Sequence, residues 1–185
     1  MSRKNYLNTI LRFFTLTVLF ICLCAFQTTT WTIVFGSFPV PQTWLVLIVF
    51  LIVKWPLYTG IFFTYFLGFI MIFYTQAPLK MMWISLNLLY IILWTLKNRI
   101  HSTSLMLFAG LSGLGSILYS VIYILISSML EPNPTKYYVL HRLTEAGLTF
   151  LISIPLYFVF NYIDQLFFTK KEWKSSVNQS QDNYS

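Results

Sequence analysis

Apolar residues run almost unbroken through 11–34, 42–54, 57–75, 79–96, 103–130 and 143–168, with polar or helix-breaking residues between the runs. A helix that crosses a membrane needs about 20 mostly apolar residues, because a rise of about 1.5 Å per residue then matches a hydrocarbon core of about 30 Å. The breaks suit helix ends. They hold Gly36, Pro39 and Pro41; Lys54, Trp55 and Pro56; Gln76, Ala77 and Pro78; Lys97, Asn98 and Arg99; and Glu131, Pro132, Asn133 and Pro134. Proline lacks a backbone donor and disfavours helix in the residue before it. The pattern predicts an all-α membrane protein of six transmembrane helices, with 1–170 as the spanning domain. The second run is the short one: 42–54 rises only roughly 20 Å. It is tilted, thins the bilayer around it or is buried behind its neighbours, unless 42–75 is one long bent segment and the spans number five.

Charge separates five spans from six. Only 9% of the residues are charged and 57% are hydrophobic, against roughly a quarter charged in a soluble domain, so no sizeable water-soluble domain is expected. Six spans with the N-terminus inside put Arg3, Lys4, Arg12, Lys54, Lys97, Arg99, Lys170, Lys171 and Lys174 in the cytoplasm, and only Lys80, Lys136 and Arg142 outside. That follows the positive-inside rule. Five spans would bury Lys54 and divide the remaining eleven basic residues six inside against five outside, which is no bias. Six spans with both termini cytoplasmic is therefore the expectation. The net charge of +7 is scattered between apolar runs rather than gathered on one face, so it reads as a topology signal and not as a nucleic-acid footprint. Arg3, Lys4 and Arg12 before an apolar run resemble a secretory signal, but no small-x-small cleavage site follows, and Ile21 before Cys22 is too bulky for lipoprotein processing. The run is expected to remain as the first helix, with Leu7, Ile10, Leu11 and Phe14 as its apolar entry stripe. Segment 171–185, rich in Ser, Asn and Gln, is expected to be a disordered cytoplasmic tail.

Candidate chemistry is sparse. Five carboxylates and two histidines form no catalytic or metal-ligating spacing, so neither enzyme, metal nor cofactor is expected. Cys22 and Cys24 point in different directions on a helix and read as packing residues; His101 and His141 read as solvated loop residues. Glu145 is the notable acid. In the first turn of the sixth span it would be favoured by free N–H groups and by Arg142 three residues earlier, and a polar contact with a partner or ligand is the sharper alternative. Asp164, with Asn161, is expected at the cytoplasmic interface near Lys170 and Lys171. On the fifth span Ala109, Ser112, Gly113, Ser116 and Ser120 share one small face, which lets backbones approach closely in lipid; intramolecular packing is favoured over a dimer seam. Trp31, Trp44, Trp55, Trp83 and Trp173 lie toward predicted span ends and suit headgroup level.

The stretch from Gly68 to Lys80 resembles the recurrent motif of the MreD family of rod-shape-determining membrane proteins, close to G-x-x-x-D-x-x-x-G-x-P-L-G. Gly68, Pro78 and Leu79 fall in register, while Ile72, Gln76 and Lys80 replace the usual Asp and two Gly. The proline before the second span, Trp44 to Val49, the turn at Lys54 to Pro56, the break at Lys97 to Arg99, and Pro155 in a last helix ending near Asp164 extend the likeness over 40–168. The resemblance implies a bundle similar to the six-helix substrate-binding subunit of energy-coupling-factor transporters. It also implies a non-enzymatic scaffold of the bacterial cell-elongation machinery in the inner membrane, partnered by the lipid bilayer, a MreC-like periplasmic protein and the RodA–penicillin-binding-protein synthase, and linked to MreB. The runner-up is the vitamin-binding subunit of such a transporter, which needs a midplane pocket; Ser85, Asn87 and Tyr90 are its candidates.

Overall fold

The structure, a computed structural model, describes residues 3–36, 38–75, 77–99, 104–131 and 138–167. Among them there is no strand. Helix α1 (Arg3–Ala25) passes through a π turn (Phe26–Thr30) into the short α2 (Trp31–Phe35). The turn falls where Thr28, Thr29 and Thr32 donate their hydroxyls back to the carbonyls of Cys24, Ala25 and Thr28, a competition with the backbone ladder that loosens helices. There follow α3 (Thr43–Lys54), α4 (Leu57–Met71) with a 3₁₀ turn (Ile72–Tyr74), α5 (Leu79–Arg99), α6 (Leu105–Leu130) and α7 (Val139–Phe167).

Five helical stretches are long and apolar enough to cross a bilayer: Thr9–Phe35, Leu57–Tyr74, Leu79–Arg99, Leu105–Leu130 and Val139–Leu166. They form a ring in which α1 touches α4, α4 touches α5, α5 touches α6, α6 touches α7, and α7 returns to α1. Helix α3 fills the middle and meets every member of the ring. Of its 12 residues, Thr43 to Ile52 are all buried. Burial behind neighbours is thus the answer to the short second run. At roughly 18 Å α3 could not span lipid, and it does not have to, because protein surrounds it on all sides.

Successive helices are antiparallel. Thr43 bonds Leu23 while Trp55 packs on Phe13, Gly68 meets Trp83 and Leu86 while Gly60 meets Tyr90, and Phe108 packs on Tyr157 while Gly113 faces Phe150. In lipid the association of such helices rests on close packing and polar contacts rather than on expulsion of water. The ends of α3 are served accordingly. The Gln42 N–H donates to Thr149 Oγ1 at 2.9 Å, the Thr43 hydroxyl donates to the Leu23 carbonyl at 3.1 Å, and the Trp55 N–H closes on Leu51 at 2.8 Å. Outside the ring, Ile10, Phe14, Phe62, Phe69, Leu151 and Phe158 are exposed, which suits a lipid bilayer as their surroundings. Together these features identify a multi-pass membrane bundle.

Two details differ from the sequence reading. Helix α7 begins at Val139, so Glu145 sits in its second turn and the free N–H groups of the first turn are not what holds it. Trp31, Trp44 and Trp55 are buried, since packing around α3 takes the rings that sequence position alone assigns to headgroups. The tail, His101, Gln76 and Trp173 lie outside the described residues.

Candidate functional site

Polar side chains collect at the two ends of α3. At the end where α3 stops, Arg12 of α1 donates through Nη2 to Asp164 Oδ1 of α7 at 2.6 Å, and its guanidinium lies 4.6 Å from the centre of the Trp55 ring. The side chains are only 17% and 6% exposed. Lys54, the last residue of α3, also acts electrostatically on Asp164. This cluster ties the first and last long helices together where the ring closes. Such a pair gains from a charge-assisted hydrogen bond and an aromatic face, while burial demands that both charges stay partnered. Asp164 was expected at the cytoplasmic interface near Lys170 and Lys171, which lie outside the described residues; it contacts Arg12, near the other end of the chain.

At the end where α3 starts there is a cavity of about 200 Å³. Its polar walls are Gln27 from the π turn, Gln42 before α3, Thr75 after α4, Tyr119 and Tyr123 from α6, and Arg142 and Glu145 from α7; Trp44, Met71 and Met82 give it apolar floor. Glu145 is buried. It accepts from Arg142 Nη1 at 2.8 Å, and its other oxygen lies 3.2 Å from His141 Nε2. His141 is therefore a helical residue in contact with a carboxylate and not a loop residue. The Tyr119 hydroxyl donates to Met82 Sδ at 3.2 Å. The Oε1 atoms of Gln27 and Gln42 are buried with no hydrogen-bond partner. Among the described residues no group of three His, Cys, Asp or Glu side chains gathers around a metal position.

The remaining sequence candidates are placed as follows. Ala109, Ser112, Gly113, Ser116 and Ser120 are all buried. A methyl group at Gly113 would come within 3.3 Å of Phe150 Cβ on α7, and Ser112 and Ser120 turn their hydroxyls back on their own helix. Gly68 is buried where α4 meets Trp83 and Leu86. Pro78 is exposed, and its carbonyl receives the Met81 and Met82 N–H groups at the start of α5, which begins at Leu79. Ser85 and Tyr90 are fully buried, Tyr90 against Gly60 of α4, and neither hydroxyl has a hydrogen-bond partner, while Asn87 donates to its own helix at Trp83. Cys24 is buried and Cys22 exposed, both free.

Sequence reasoning missed the small face of α4, Gly60, Thr64 and Gly68, although its four-residue spacing is the signal for close helix approach in lipid. It also missed the Arg12–Asp164 pair and the cavity, whose residues come from distant parts of the chain. No family model, no curated protein and no solved structure matches the chain.

Proposed function

We propose that the protein is a non-enzymatic scaffold of the bacterial inner membrane that serves the cell-elongation and peptidoglycan-synthesis machinery. Five long helices span the bilayer, the short α3 carries the chain across a sixth time inside their ring, and both termini lie in the cytoplasm. The observation that carries this reading is the closed ring around α3. The axis of the bundle is filled by apolar side chains from Leu45 to Ile52, and the apolar surface that is left for contacts lies on the outer faces of the long helices. A protein built this way acts through its helix faces and loops. Charge supports this topology: Arg12, Lys54, Lys97 and Arg99 lie toward the end where α3 stops, against Lys80 and Arg142 toward the other, and the positive-inside rule favours the richer end as the cytoplasmic one. The resemblance of Gly68, Pro78 and Leu79 to the MreD motif names the partners, a MreC-like periplasmic protein and the RodA–penicillin-binding-protein synthase. The vitamin-transporter reading has less support, because Tyr90 packs against Gly60 of α4 and Asn87 bonds its own helix.

The test is in-cell crosslinking from positions on the outer helix faces, with identification of the captured membrane proteins, together with depletion. The scaffold reading expects a synthase or its periplasmic partner in the crosslinks and rounded cells on depletion. Cells that stay rod-shaped with normal wall growth would remove it.

A further inference from the structure

The cavity at the start of α3 has a chemical character that the scaffold reading does not use. At about 200 Å³ it is below the roughly 300 Å³ at which sites for drug-sized ligands begin. Its charges cancel, since Arg142 and Glu145 are paired at 2.8 Å. The start of α3 offers an anion little, because the N–H groups of Gln42, Thr43 and Leu45 are already bonded to Thr149, Pro41 and Gln42. Two acceptors of its wall lack a donor. Gln42 is 6% exposed, and both its Oε1 and that of Gln27 are without a partner. The last torsion of a glutamine side chain is soft, so either oxygen can turn to a donor that enters the cavity. Trp44 and Tyr119, edge to face at 5.0 Å, add aromatic wall against which a flat ring packs.

We propose that this cavity binds a small, uncharged ring compound with N–H donors, of the aromatic amide class, with Gln42 and Gln27 accepting its hydrogen bonds and Trp44 lining its face. The site stands independently of the scaffold reading.

The experiment uses the full chain in detergent micelles and three probes of one shape, benzamide, benzoate and benzylammonium. Benzamide is expected to bind saturably and to raise the unfolding temperature in step with occupancy, with benzoate and benzylammonium at least about tenfold weaker. Gln42→Leu and Gln27→Leu, each checked for a monodisperse elution profile, are expected to weaken benzamide at least about tenfold for Gln42 and measurably for Gln27. Absence of saturable benzamide binding up to about 10 mM overturns the proposal. So does equal binding of either charged probe, or wild-type affinity in both folded variants. The comparison of probes on the unaltered protein decides the matter even where neither variant folds.

Discussion

At the scale of single residues, the ionic contact between Arg12 and Asp164 is the most consequential side-chain pair in the bundle. Removing one partner of a buried pair leaves a charge without compensation, typically at a cost of about 3–5 kcal/mol, whereas replacing both by apolar residues is often neutral. Asp164→Leu should therefore lower the detergent unfolding temperature markedly, and Arg12→Leu combined with Asp164→Leu should recover most of the loss. A thermal-unfolding double-mutant cycle measures this, and additive losses would show that the two residues act separately. None of it was legible from sequence, because 152 positions separate the partners and an Asp near a run of lysines has a nearer explanation. Glu145 was easier to read. Its bond to Arg142 is local and follows from helical spacing, although the start of the helix at Val139 changes what surrounds it.

At the scale of elements, close approach between helices decides which substitutions are tolerated. Gly113→Leu should cost about 1–3 kcal/mol or more through overpacking against Phe150, seen as a loss of monodisperse yield; an unchanged, stable protein would count against that contact. Gly60→Ala makes the same test on α4, because the added methyl would occupy the space of the Tyr90 hydroxyl. It should be rescued in part by Tyr90→Phe, with stability in detergent as the readout. The helix limits themselves were largely legible, because prolines and basic residues mark where apolar runs end. The position of α3 was not. A helix apolar on every side is either a lipid-facing span or a core element, and in a membrane protein both surroundings are apolar, so periodicity carries no information about which one applies. Only its length set α3 apart.

At the scale of the whole molecule, the ring should make stability uneven. Backbone amides between Trp44 and Ile52 are expected to exchange slowest in micelles, since they open only when the ring opens; rapid exchange there would contradict the enclosure of α3. Orientation has its own check. A reporter fused after Lys174 should be active only in the cytoplasm and one placed after Glu131 only outside, and the reverse pattern would invert the bundle.

The ring also bears on how the protein is made. Helix α3 leaves the ribosome early, but two of the walls that enclose it, α6 and α7, are synthesised last, and α7 supplies both Thr149 for the Gln42 N–H and Asp164 for Arg12. During synthesis a segment of roughly 18 Å therefore waits in the bilayer with its polar ends short of either surface. A nascent chain cut before α7 should be held by chaperones or degraded rather than accumulate, which makes the final helix the quality-control signal for the whole fold.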